Sequence, residues 1–216
     1  LSQEIKKFRN FNKDFSFLTY TNEERDQYMK KYWGDHEIYE IYLNSVFQPS
    51  KADIWRYCIL FERGGFYFDI KSGYNGKLSK LSNSYGAILS YEPFLTQILP
   101  EKEYFYKVED FNILLNWGFG FKKNHKLLEM LINNICKYSS YFRNKKFQNP
   151  KAAILAFTGP GMLSKTYREY ISNDNKIIKI NGINFYGKGV FEMKGAKYRF
   201  KKNRSYGDFK NSIILS

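Results

Sequence analysis

One stretch, residues 50–71 (SKADIWRYCILFERGGFYFDIK), fixes more of this chain's architecture than any other. Between residues 52 and 63 the apolar side chains Ile54, Trp55, Cys58, Ile59 and Phe61 recur close to the 3.6-residue period of a helix packed on one face. Gly64 and Gly65 end that helix, because paired glycines accept the left-handed backbone of a helix C-cap at little cost. Phe66-Tyr67-Phe68 follows as a short aromatic strand, predicted to be central in its sheet. Asp69 stands where that strand leaves the sheet, the edge at which ligands bind in open α/β sheets. The spacing therefore predicts a helix, a glycine turn and a strand that deliver one carboxylate to a cleft.

The remaining segments alternate between helix and strand patterns, which makes the chain α/β. Residues 2–10 read as the end of a helix, and residues 14–21 (DFSFLTYT) as a strand. Asn22 is the predicted cap of a helix over 23–33, with Glu23 and Glu24 well placed in its first turn and Gly34 at its end. A shorter helix is predicted over 38–46, a glycine-punctuated loop after Asp69, and a strand over 85–91. Residues 112–121 (NILLNWGFGF) read as one or two strand segments, and Asn124 as the cap of a helix over 125–138. Thr158-Gly159-Pro160-Gly161 marks a turn before a helix over 162–171. Segments 177–180 and 183–186 flank Asn181-Gly182, a hairpin signal. No repeat or linker divides residues 1–216, so one domain is expected, with a basic, loop-like tail over about 187–216.

Hydrophobic residues make up 43% of the chain and aromatics 19%, which excludes a disordered polymer. No apolar run approaches the roughly 20 residues that span a bilayer. Cys58 and Cys136 lie in apolar helical patterns and are expected as buried free thiols, too few for a disulfide framework and suited to a reducing cytoplasm. His36 and His125 are too sparse for a two-histidine metal site. The net charge of +14 calls for an anionic partner: nucleic acid, a membrane surface or a nucleotide. Part of that charge belongs to a general richness in Lys, Asn, Ile, Phe and Tyr, as an A+T-biased coding sequence produces. The rest clusters in residues 194–204, with Tyr198 and Phe200 interleaved. Aromatics among basic residues can stack bases, but no RNA- or DNA-binding signature accompanies them.

The order Ala52-Asp53-Ile54-x-Arg56-Tyr57, then Leu60, then Gly64-Gly65-x-Tyr67-x-Asp69 resembles the DXD-containing sugar transferases. These are the bacterial and fungal glycosyltransferases of family 32, with the clostridial glucosylating toxins as distant relatives. Weaker similarity continues over residues 116–125 and at Thr158-Gly159-Pro160. The resemblance implies a GT-A-like fold with a central mixed sheet flanked by helices, a nucleotide-sugar donor, and transfer that retains anomeric configuration. It implies that Asp53 and Arg56 contact hydroxyls of the donor sugar, that Tyr67 lies beside sugar or phosphate, and that Asp69 binds ribose and sugar. It places Asn116 toward the acceptor. Each has a plainer reading: Asp53 complementing the dipole of its helix, Arg56 in a surface ion pair, Tyr67 as core. Family members usually begin with an upstream strand that helps hold the nucleotide base. The chain opens on Leu1 without such a segment and is read as a fragment.

The family motif is Asp-x-Asp, whereas this chain reads Asp69-Ile70-Lys71. A protonated ammonium cannot ligate a metal, so Lys71 removes the usual anchor of Mn²⁺ or Mg²⁺. An aspartate with a divalent cation contributes −1 + 2 = +1 at that place, and a lysine contributes +1 directly. Lysine binds phosphate well as a point charge. The C-terminal histidines of many family members are also missing, and Arg199 and Arg204 are the candidates to close over the diphosphate. The sequence thus predicts a metal-independent glycosyltransferase with Asp69 and Lys71 as catalytic residues; Mn²⁺ or Mg²⁺ is the alternative. A cytoplasmic setting is expected, with a saccharide or lipid-linked acceptor, cell-surface polysaccharide or glycolipid synthesis, and peripheral contact with an anionic membrane. Two competing classes are an inactive relative that binds sugar or nucleotide, and a basic nucleic-acid-binding α/β protein.

Overall fold

The computed structural model describes residues 3–70, 72–74, 76–82, 86–91, 113–172, 179–180, 190–192 and 212–215. In chain order it contains α1 (Gln3–Phe11), α2 (Asn22–Trp33), α3 (Glu37–Asn44), α4 (Gln48–Arg63), β1 (Gly65–Phe68), β2 (Ser72–Tyr74), α5 (Ser79–Ser82) and β3 (Ala87–Leu89). These are followed by β4 (Gly118–Phe121), α6 (Lys126–Phe142), α7 (Pro150–Phe157), α8 (Pro160–Ser172), β5 (Lys179–Ile180) and β6 (Val190–Glu192). A small mixed sheet of order β1-β4-β3-β5 packs among helices, with β4 antiparallel to β1 and β3 and β5 parallel to β3. This mixed α/β architecture is consistent with a GT-A-like domain.

Helix α4 is the centre of the core. It begins at Gln48, earlier than the apolar period suggests, because Pro49 sits in its first turn, where a missing N–H costs nothing. The periodicity predicts one packed face, but every residue from 53 to 60 is buried. The reason is that α2, α3, α6, β1 and β4 all pack around α4. Asp53, Arg56, Tyr57 and Leu60 are therefore covered on the side that the pattern leaves open. At its end Gly64 has φ +68° and its N–H donates to the Leu60 carbonyl at 2.8 Å. A Cβ at Gly64 would lie 2.6 Å from the Lys123 backbone nitrogen, so both conformation and close approach require glycine.

Strand β1 forms at the predicted residues, but at the edge of the sheet rather than its centre. Its only partner strand among the described residues is β4, in the register Gly65↔Phe121 to Phe68↔Gly118. A Cβ at Gly120 would collide with the Phe66 ring at 2.6 Å, so glycine lets that ring lie across β4. The predicted strand over residues 14–21 forms no ladder. Those residues pack by their rings instead: Phe15 on Phe66 at 5.8 Å and Phe17 on Phe8 at 5.5 Å.

Other boundaries also move. Thr21, not Asn22, caps α2, in a capping box with Glu24. His125, not Asn124, caps α6, and Asn124 takes φ +57°. The glycine-rich stretch after Asp69 contributes β2, which pairs with β6 and so gives structure to a tail predicted as loop. Farther on, Ile213 and Ile214 are buried, held by Val46 N–H on the Ile213 carbonyl at 3.1 Å and Asn144 N–H on the Ile214 carbonyl at 3.0 Å. Lys179–Ile180 pairs with β3, and the other arm of the predicted hairpin lies outside the described residues. Cys58 and Cys136 are free and buried, as expected.

The α6 cap carries a pH prediction. His125 Nδ1 accepts the Leu127 N–H at 3.2 Å, and burial, followed by the charge of Lys122, holds the imidazole below its ordinary pKa. A depressed folded pKa lends stability that is present above the unfolded value and lost as pH falls through the folded one. Asparagine keeps a cap acceptor without titrating in this range. Across urea titrations at falling pH, the parent is expected to lose stability relative to His125→Asn below about pH 6.5. Parallel losses in the two proteins would show that the cap does not titrate.

Candidate donor-binding site

The carboxyl end of β1 meets the buried face of α4 at Arg56. Its guanidinium lies 4.4 Å from the centre of the Tyr67 ring. Nε donates to the Ala52 carbonyl at 3.2 Å and Nη1 to the Asn116 carbonyl at 2.6 Å. Nη2 stands between two carboxylates, 3.3 Å from Asp53 Oδ1 and 3.5 Å from Asp69 Oδ1. Tyr67 completes the arrangement by donating its hydroxyl to Asp69 Oδ1 at 2.6 Å. Two residues apart on an extended chain, Tyr67 and Asp69 point the same way, which is what brings them together.

Burial divides the two carboxylates. The side chain of Asp69 is 44% exposed, whereas those of Asp53 and Arg56 are only 8% and 7% exposed. Asp53 accepts from Asn116 Nδ2 at 3.1 Å and from Thr158 Oγ1 at 3.1 Å. Burial pushes its carboxyl up to about 6, against the pull of Arg56 and the Thr158 hydrogen bond; Asp69 adds to the rise. Burial works to lower the Arg56 pKa, but Tyr67, Asp69 and Asp53 outweigh it, so the guanidinium stays charged. Burial raises Tyr67 well above an ordinary tyrosine, which keeps its hydroxyl a donor. One cation is thus shared by two acidic groups.

Asp69 opens on a cleft of about 370 Å³ that is lined by all of β1. Aromatic side chains in its lining include Trp55, Tyr67, Phe66, Phe68, Phe15 and Phe17. Asp53 and Arg56 lie behind Tyr67 and Asp69 and do not line it.

Of the residues singled out from the sequence, Asp53, Arg56, Tyr67, Asp69 and Asn116 converge. Lys71, Arg199 and Arg204 lie outside the described residues, as does most of the basic tail. Thr158 is an addition: it is fully buried and reaches Asp53 across 105 positions of sequence. Its only signal was the Thr-Gly-Pro turn, which says nothing about where the hydroxyl points. Among the described residues, no three His, Cys, Asp or Glu side chains are grouped so as to hold a metal ion.

Residues 1–89 match the glycosyltransferase sugar-binding region containing a DXD motif. The match takes in α4, β1 and Asp69, and it relates this chain to the DXD-type glycosyltransferases, a relationship that supports a general glycosyltransferase role. No curated protein matches the chain.

Proposed function

We propose that this chain transfers a sugar from a nucleotide-diphosphate donor to a saccharide or lipid-linked acceptor, with retention of configuration and without a resident divalent ion. The observation that carries the reading is Asp69. One of its oxygens is fixed by Tyr67 and Arg56, while the side chain stays exposed at the end of a cleft. A carboxylate held in one orientation, and still open on one side, is preorganised to accept hydroxyls of a ribose or sugar.

As the bond between anomeric carbon and diphosphate lengthens, positive charge develops on the sugar and negative charge on the leaving group. Donors aimed at that growing charge usually provide the largest single part of the catalysis. Within the described site, Arg56 at +1 faces Asp53 and Asp69 at −1 each, a balance of +1 − 2 = −1. Arg9 and Arg63 also line the cleft, and a further cation beside Asp69 would serve the diphosphate directly. Lys71, two residues after Asp69, is the proposed one, with Arg199 and Arg204 as further candidates. Cell-surface polysaccharide or glycolipid assembly is the proposed setting, on the cytoplasmic side, with the basic tail resting on an anionic surface. Among the described residues no helix is long and apolar enough to cross a membrane.

A ligand that binds only the folded state raises its apparent stability. Thermal unfolding against a panel of nucleotide-sugars in excess EDTA is expected to show a rise with at least one donor. No rise with any donor, or rises only when Mn²⁺ is present, would contradict this reading. A rise without turnover would favour the second reading, a relative that binds sugar or nucleotide, which the exchange of the motif's second aspartate for Lys71 also supports.

A further inference from the structure

We propose that the face formed by the last turns of α6 and its connection to α7 docks on anionic phospholipid headgroups through Lys137, Lys145, Lys146 and Lys151. This goes beyond the donor-site reading and stands without it: none of the four lysines lines the cleft. The observation behind it is an uneven division of charge. Residues 3–70 carry ten basic and eleven acidic side chains, a net −1. Residues 113–172 carry ten basic and two acidic ones, a net +8. A general richness in lysine would raise both segments alike, and both hold the same number of cations. What separates them is the loss of acids from the α6–α8 segment. Of the two acids left there, Glu129 pairs with Lys126 at 2.9 Å and Glu169 pairs with Lys165.

The rings of α6 gather the cations onto one face. Tyr138 and Tyr141, three residues apart, are neighbours on the helix surface. Lys137 and Lys165 stand over the Tyr138 ring at 5.2 and 4.8 Å. Lys145 stands over Tyr141 at 4.2 Å and over Phe147 at 5.4 Å, which carries the face into the connection. Residues 143–151 (RNKKFQNPK) add Lys146 and Lys151, both exposed, and no acid. Lys151 lies in the first turn of α7, where a cation opposes the helix dipole, so local stability does not account for it.

A diffuse anionic surface fits this face better than nucleic acid does. Lysine ammoniums are point charges, without the planar fork that recognises phosphate and base edges. Base stacking needs an open aromatic platform, and the ammoniums of Lys137, Lys145 and Lys165 already lie over the two tyrosine rings. Clustered lysines on a helix surface are what the negative potential of an anionic leaflet attracts. A second copy of this chain is no match, since its net charge is +14 and residues 3–70 are nearly neutral.

Flotation of the intact chain with phosphatidylcholine vesicles containing about 30% phosphatidylglycerol is expected to show binding that weakens with salt and is absent from pure phosphatidylcholine. Each cation near such a surface contributes about fivefold. The combined variant Lys137→Gln, Lys145→Gln, Lys146→Gln, Lys151→Gln is therefore expected to bind at least about a hundredfold more weakly. The same charge removed from the other half, in Lys6→Gln, Lys13→Gln, Lys30→Gln, Lys31→Gln, is expected to leave binding within about fivefold of the parent. Circular dichroism checks that both variants fold. Equal losses in the two would show an effect of net charge alone and overturn the proposal, as would a parent that binds no vesicles. A loss confined to a third variant, with Lys194, Lys197, Arg199, Lys201, Lys202 and Arg204 all replaced by glutamine, would assign the contact to the tail and also overturn it. So would tighter binding to a single-stranded oligonucleotide than to the vesicles, abolished in the first variant. A parent that turns over no nucleotide-sugar would sink the donor reading and leave the vesicle result to decide this one.

Discussion

Arg56→Ala is expected to destabilise the fold by about 3–5 kcal/mol, the usual cost of leaving a buried charge without its partner. Asp53 is the group left behind, only 6% exposed. Without Arg56 its folded pKa, already pushed up to about 6, rises further. A carboxyl with a raised folded pKa lends stability at low pH that is lost as pH rises through that value. The deficit of Arg56→Ala against the parent should therefore grow between about pH 5 and about pH 8. Urea unfolding with linear extrapolation measures it. Adding Asp53→Asn should recover most of the loss. If Arg56→Ala unfolds with the parent's midpoint at every pH, the pair is solvated in solution and the site is not built as described.

Lys71→Ala is expected to reduce turnover by about 100- to 1000-fold, the range seen when one preorganised stabiliser of developing negative charge is removed. The loss should fall on kcat more than on KM, because the charge on the diphosphate grows toward the transition state. Turnover of the parent should persist in excess EDTA. This prediction comes from sequence order alone, since Lys71 lies outside the described residues. Full activity in Lys71→Ala, or activity that EDTA abolishes and Mn²⁺ restores, would show that another group neutralises the diphosphate.

The helix–glycine–strand unit was legible because each signal in it is local. The apolar period of α4, the glycines that stop it and the aromatic run before Asp69 lie within about twenty residues. What was not legible depends on partners distant in sequence. Nothing in residues 53–60 announces burial on all sides, which arises from α2, α3, α6 and the sheet closing around α4. The strand pattern of residues 14–21 is genuine, but a ladder needs a neighbour, and among the described residues none pairs there. The caps at Thr21 and His125 each fell one residue from their predicted place, since neighbouring side chains that carry an acceptor compete for that role and only backbone geometry decides. In the site, the motif picked out Asp53, Arg56, Tyr67 and Asp69, but not which carboxylate would be buried. That division follows from Asn116 and Thr158, which reach Asp53 across 63 and 105 positions.

The most direct test of the donor site is release of nucleoside diphosphate from a panel of nucleotide-sugars, measured side by side for the parent and Asp69→Ala. Asp69 is exposed enough that its loss should leave the fold intact, which circular dichroism on the same samples checks. A charge-assisted hydrogen bond to the donor is worth about 1.5–3 kcal/mol, so the variant should be slower by about ten- to a hundredfold on whichever donor the parent uses. If the parent releases diphosphate from no donor, or if folded Asp69→Ala matches it, then the carboxylate at the end of β1 does not handle a nucleotide-sugar and the account is wrong.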